Sequence, residues 1–146
     1  MGLGNLTFPA VEVQTSGGSF SVRGLGFYDV LGLFYRHRES LTRVFDIVLS
    51  KTQKGESLDL LDVNLVMIEV LTEAPKLVAE VIAIGAGAEV TSDEFEGETG
   101  IAAKLPFAVQ VDAIEKIARQ TFTEDMPPKK LFALVMKAAN QAGANP

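Results

Sequence analysis

The sequence contains no cysteine and no tryptophan, and it has a single histidine, His37. A chain without cysteine forms no disulfide, has no thiolate nucleophile and lacks every zinc site that requires sulfur. One histidine is also too few for the usual histidine-based transition-metal sites. We therefore predict no metal centre, no cofactor and no catalytic residue set.

Long uninterrupted hydrophobic runs are missing as well. The longest apolar stretch, residues 58–71, is interrupted at Asp59, Asp62, Asn64 and Glu69. A membrane-spanning helix needs about 20 predominantly apolar residues, so we interpret this stretch as a buried helix. The first eight residues show no cationic segment followed by an apolar one. We accordingly expect no secretory signal or transit peptide, and a location in the cytoplasm where the chain is made.

Basic residues are fewer than acidic ones. The chain has 13 lysines and arginines against 19 aspartates and glutamates, which gives a net charge of −6. This charge opposes the attraction to phosphates on which nucleic-acid binding depends. With 146 residues, 47% hydrophobic and 22% charged, the chain is apolar enough to bury one core. We predict a single domain over residues 1–146 that binds other proteins, and neither nucleic acid nor a membrane.

Residues 11–22 alternate apolar and polar side chains on both sides of Gly17 and Gly18. This pattern is typical of a β-hairpin with a glycine-containing turn. An isolated hairpin is marginally stable in water, so its apolar face must pack on helices. The residues predicted to share that face are Val11, Val13, Phe20 and Val22.

Apolar residues recur at helical spacing along most of the remaining chain, which predicts a mainly α, bundle-like domain of about five helices. Helices one to three are assigned to residues 28–87, and helices four and five to residues 105–142. Residues 88–104 join these groups and are rich in acids and glycines, without a periodic apolar face. They are predicted to form a flexible acidic loop. The individual helices are predicted over about residues 28–49, 58–71, 75–85, 106–122 and 128–142.

His37 is the one residue that suggests general-base chemistry. It lies on the apolar stripe of helix one, between Phe34 and Leu41, and beside Arg38. A histidine base needs an activated nucleophile, which the sequence does not offer. We interpret His37 as a hydrogen-bonded histidine at a helix face or interface.

Two lysines at the start of helix five, Lys129 and Lys130, oppose the helix dipole. One interpretation is that the protein tolerates this small unfavourable electrostatic energy at its surface. The other is that the two lysines form a docking point for an acidic partner. Hydrophobic residues of the hairpin and helices complete the set of candidate contacts. The candidate partner-binding residues are Phe20, Val22, Phe34, His37, Lys129, Lys130 and Phe132.

Several segments together form a recognisable pattern. They are Val11-x-Val13, Gly17-Gly18-Ser-Phe20-Ser-Val22-Arg23-Gly24-Leu25, Asp29, His37 and Leu41, followed by residues 75–83, residues 105–122 and Lys130-Leu-Phe. This pattern resembles the tail assembly chaperones of tailed bacteriophages, also called pre-tape-measure proteins, and it extends over most of the chain. The residues that carry it are packing residues.

The resemblance implies a small helical protein that is made in the infected bacterium and has no catalytic motif. Such a protein coats the long tape-measure protein, keeps it soluble until tail-tube subunits polymerise around it, and is not retained in the mature virion. Tail-tube subunits and a second copy of the chain are open as further partners. Two alternative functions also remain open: a structural tail-completion or connector subunit of the virion, and a small enzyme that uses His37.

Overall fold

A computed structural model describes residues 9–52 and 68–144. Two strands and seven helices occur within these ranges, so the predicted fold class, mainly α with an N-terminal hairpin, is confirmed. The predicted number of about five helices is wrong. The elements are β1 (Val11–Thr15), β2 (Gly18–Val22), α1 (Phe27–Arg36), α2 (Arg38–Thr52), α3 (residues 68–73), α4 (Pro75–Gly85), α5 (Phe95–Ala103), α6 (Phe107–Thr121) and α7 (Pro128–Ala144).

The hairpin has the apolar face that the alternation predicts. Val11 pairs with Val22 and Val13 with Phe20, so the four apolar side chains lie on one face. Gly18 has a φ of +142°, a backbone conformation that favours glycine. Val13 and Val22 are fully buried, because this face packs on α4 and α6.

Side-chain and backbone hydrogen bonds hold the hairpin against these two helices. Lys116 Nζ in α6 donates to the carbonyl of Glu12 at 2.8 Å. The side-chain amide of Gln120 donates to the carbonyl of Val22 at 3.1 Å. The N–H of Arg23 donates to the carbonyl of Gly85, at the end of α4, at 2.9 Å. The hairpin is thus anchored at both strands.

The predicted helix over residues 28–49 is two helices in the structure. α1 ends at Arg36, and His37 adopts φ −137° and ψ 53°, which is not helical. The N–H of His37 still donates to the carbonyl of Leu33 at 2.8 Å, and its own carbonyl accepts from the N–H of Leu41 at 2.8 Å. The break at His37 has no proline or glycine beside it, so no local sequence signal predicts it.

The segment predicted as a flexible acidic loop, residues 88–104, contains the helix α5. Phe95 and Ala102 are buried, and they lie seven positions apart, so they occupy the same helix face. The helix packs against α4 through this face. Two widely spaced anchors are too sparse to produce a visible apolar period. The break at His37 and the presence of α5 account for the difference between five helices and seven.

Most of predicted helix two, residues 58–71, lies outside the described residues. Its last part belongs to α3, which is helical from residue 68 to residue 73. Val70 in α3 is buried in the core. Within the described ranges, no helix combines the length and the hydropathy that crossing a membrane requires.

The core lies between the helices and includes a group of three aromatic rings. Phe45 of α2 stacks on Phe132 of α7, with ring centroids 3.6 Å apart and an angle of 18° between the planes. Phe122, directly after α6, contacts the same ring edge-on at 5.9 Å. These contacts join α2 to the end of α6 and to α7, which lie more than 70 residues after Phe45 in the chain.

Two glycines provide a matched test of this packing. A Cβ at Gly24 would lie 2.7 Å from the backbone carbonyl carbon and oxygen of Gln120, whereas a Cβ at Gly32 would meet nothing within 4 Å. We expect Gly24→Ala to lower the free energy of unfolding by about 1 kcal/mol or more, because α6 must move away. Gly32→Ala should raise it by about 0.5–1 kcal/mol, since alanine favours a helix interior. Urea denaturation of both variants checks this, and equal effects would contradict the close approach at Gly24.

Candidate functional site

Glu80 in α4 is the only charged residue that is buried within the described part of the chain, with 1% of its surface exposed. The Nε of Arg36 donates a hydrogen bond to Oε1 of Glu80 at 2.8 Å. The Nε2 of His37 lies 2.5 Å from Oε2 of the same carboxylate. We call these three residues the Glu80 cluster. Both carboxylate oxygens are therefore bonded.

The break between α1 and α2 makes this arrangement possible. Neighbouring side chains in a continuous helix point about 100° apart, whereas Arg36 and His37 converge on one carboxylate. The guanidinium of Arg36 also lies over the ring of Phe95, 5.4 Å from its centroid. The cluster thus connects the α1–α2 junction with both α4 and α5.

The charge of Glu80 depends on its partners. Burial alone raises the pKa of a carboxyl group, but hydrogen bonds and positive charge from Arg36 and His37 outweigh burial and lower the pKa of Glu80 below its ordinary value. The carboxylate is therefore ionised at neutral pH. Within the described residues, no buried side-chain nitrogen or oxygen atom lacks a hydrogen-bond partner. A fully bonded carboxylate of this kind favours a structural role over that of a general base.

An apolar cavity of about 140 Å³ lies beside three of the helices that the Glu80 cluster joins, α1, α2 and α4. Its walls come from α1, α2, α3, α4, α6 and α7, and they include Leu33, Phe45, Val78 and Phe132. Among the lining residues that the structure describes, Thr121 is the one with a polar side chain. Its hydroxyl accepts from the N–H of Leu25 at 2.9 Å and donates to the carbonyl of Ile117 at 2.7 Å. The cavity therefore suits an apolar group rather than a charged ligand.

The structure separates the residues predicted to bind a partner. Val22, Phe34 and Phe132 are buried in the core, so they do not form an exposed surface. Their apolar side chains pack inside the protein, and that they contact a partner stays a prediction. Phe132 nevertheless lines the apolar cavity.

The remaining predicted residues lie in three different environments. Phe20 is half-buried in the hairpin, and His37 belongs to the Glu80 cluster. Lys129 and Lys130 are exposed at the start of α7, where Nζ of Lys130 donates to the carbonyl of Asp125 at 3.2 Å. That these residues contact a partner stays a prediction.

Sequence reasoning missed Glu80, although a signal for it exists. Glu80 lies three residues after Leu77 and four before Ile84, so all three occupy neighbouring positions on one helix face. Leu77 and Ile84 are both buried. A charged residue on the inward face of an otherwise apolar helix predicts a buried ion pair, because an unpaired buried charge is too costly. The partners of Glu80, however, could not be read from this spacing.

Comparison with known protein families identifies the group to which the protein is related. The family model described as pre-tape measure protein matches residues 1–145. The chain belongs to this family. The match confirms the resemblance found in the sequence, and it indicates a role in phage tail assembly rather than catalysis. No curated protein and no solved structure shows significant similarity to the chain.

Proposed function

We propose that this member of the pre-tape measure protein family is a tail assembly chaperone. It binds the tape-measure protein in the cytoplasm of the host bacterium, keeps that long chain soluble while the tail is built, and leaves before the virion is complete. The observation that carries this proposal is the family match over residues 1–145. The family name also makes the tape-measure protein the first partner to test.

The apolar cavity supports this function, because it offers a place for an apolar side chain of a client helix. An engineered cavity of about 150 Å³ lined by aliphatic and aromatic residues binds benzene. The cavity of about 140 Å³ found here is therefore large enough for one leucine-sized or phenylalanine-sized group. Half-buried Leu25, Val44 and Phe122 contribute to its walls. An amphipathic helix that docks over them would insert such a group.

The charge of the chain also supports a solubilising role. A net charge of −6 keeps an assembled complex soluble through repulsion between complexes. Lys129 and Lys130 are an exposed basic pair on this acidic background. They stay the predicted contact for an acidic segment of the partner. Tail-tube subunits and a second copy of the chain are secondary partners in this proposal.

Co-expression tests the proposal directly. Overlapping fragments of the tape-measure protein from the same phage are produced with and without this protein, and their soluble fractions are compared. We expect at least one fragment to become soluble and to elute with this protein in size-exclusion chromatography. Binding should show a negative heat-capacity change and persist in moderate salt, because it buries apolar surface.

Two variants test whether the solubilising effect requires the apolar cavity. Val44→Glu places a charge in the cavity wall and should remove the solubilising effect. Ile101→Glu makes the same change at an exposed position of α5 and should leave the effect intact. Fragments that stay equally insoluble in all cases, with no complex, would contradict the chaperone function. Detection of the protein in purified virions would favour the structural-subunit alternative.

A further inference from the structure

The break between α1 and α2 has no cause in the local sequence. Residues 33–52 contain neither proline nor glycine, and apolar residues continue at helical spacing through His37. Local preference therefore favours one continuous helix across this region. The break must be imposed by tertiary contacts, and the Glu80 cluster is the contact that lies at the break itself.

We propose that the Glu80 cluster is a conformational latch: it holds the bend between α1 and α2, and its release lets residues 27–52 form one continuous helix. Arg36 and His37 occupy the last residue of α1 and its C-cap. Both bind a carboxylate on α4, so they fix the junction to a third helix. Within the described residues, the side-chain hydrogen bonds to Glu80 come from these two neighbours alone.

The bend matters because both of its arms line the apolar cavity. Val30 and Leu33 come from α1, and Leu41 and Phe45 come from α2. These four side chains are all buried in the bent form. A continuous helix places residues 30 and 45 about 22 Å apart along its axis, which is too far for both arms to close around one cavity of about 140 Å³. Release of the latch therefore exposes part of the cavity wall.

The helix α5 also contacts the Glu80 cluster. The guanidinium of Arg36 lies over Phe95, which is one of two buried anchors of this short helix. When Arg36 leaves Glu80, α5 loses this contact. The assignment of a role to the opened form rests on the proposed function: an exposed cavity wall is the surface that an amphipathic client helix would bind.

The chain is well suited to a distance measurement, since it has no native cysteine. Nitroxide labels on Tyr28→Cys in α1 and Asp46→Cys in α2 lie on either side of the break, and both parent residues are exposed. The two positions are 18 residues apart. In a continuous helix this separation equals five turns, or about 27 Å, with both labels on one face. A bend at His37 shortens this separation.

Double electron–electron resonance on labelled Glu80→Gln should show a longer component that is missing from the labelled parent. Glu73→Gln is the matched control. It also removes one carboxylate from an arginine pair, because Nη1 of Arg43 lies 2.8 Å from Oε1 of Glu73. This pair is exposed, and Arg43 lies six residues beyond the break. The control should keep the distance distribution of the parent.

A second variant, Arg36→Met with His37→Leu, removes the two side chains that bond to Glu80 and leaves the carboxylate in place. It should show the same longer component. Identical distributions in the parent and both latch variants would overturn the proposal. Loss of the folded state in both latch variants, with Glu73→Gln folded, would also overturn the proposal. The cluster would then stabilise the whole fold and would not act as a latch for the bend. The distances are measured without a client, so failure of the latch leaves the chaperone proposal standing, and failure of the co-expression test leaves the latch standing.

Discussion

Replacement of Phe132 by alanine is expected to lower the free energy of unfolding by about 3–5 kcal/mol, the usual range for a phenylalanine removed from a core. Phe132 is 4% exposed, and it stacks on Phe45 at 3.6 Å while the ring of Phe122 meets it edge-on. The residue already borders the apolar cavity of about 140 Å³. Truncation would enlarge this cavity, because the neighbouring rings can fill the space only in part. Urea denaturation with a fixed m-value measures the loss.

The matched control is Phe107→Ala at the start of α6. Phe107 is 54% exposed, so its removal should change the free energy of unfolding by only about 0.5 kcal/mol. Equal effects at both positions would show that Phe132 is not a core residue. The comparison also bears on function. Any loss of client binding in the Phe132 variant must be corrected for the unfolded fraction before it is assigned to a contact.

Glu80→Gln is expected to lower the free energy of unfolding by about 1.5–3 kcal/mol at pH 7, because hydrogen bonds to a buried charged group contribute this much. Glutamine keeps the size of the side chain but removes the charge that Arg36 and His37 surround. Chemical denaturation at a series of pH values measures the difference from the parent. Glu73→Gln, at the exposed pair with Arg43, should change stability by less than about 1 kcal/mol.

The pH dependence of this difference has a definite sign. Burial opposes ionisation of Glu80, but Arg36 and His37 outweigh it, so its folded-state pKa lies below the ordinary value of 4.5. The stabilisation by this carboxylate is therefore complete above the unfolded-state pKa and disappears as the pH falls through the lower folded-state pKa. The difference between the parent and Glu80→Gln should shrink below pH 4.5. A constant difference down to pH 3 would contradict the ionised cluster.

The N-terminal hairpin shows how far sequence patterns alone can lead. Strand alternation repeats every two residues, so Val11, Val13, Phe20 and Val22 were predicted to share one face. The structure pairs Val11 with Val22 and Val13 with Phe20 on that face. The hairpin also required helices to cover it, and α4 and α6 do so. Local periodicity and turn residues suffice to predict the hairpin, because the residues that determine it all lie between positions 11 and 22.

The Glu80 cluster was predictable only in part. The position of Glu80 on the apolar face of α4 follows from helical spacing, whereas its partners lie 43 and 44 residues earlier in the chain. His37 was correctly interpreted as a hydrogen-bonded residue, but the carboxylate it binds was not identified. Phe34 and Phe132 illustrate the converse problem. A large apolar residue has the same appearance in a sequence whether it fills a core or an exposed binding surface.

The sequence by itself determined the mainly helical class, the hairpin with its apolar face, and membership in the pre-tape measure protein family, which the match over residues 1–145 confirms. Only the tertiary structure decided the break at His37, the helix α5 and the burial of Val22, Phe34 and Phe132. The physical reason is the range of the interactions. Periodicity and capping act between residues a few positions apart, but the bend and α5 depend on contacts that only the folded chain brings together.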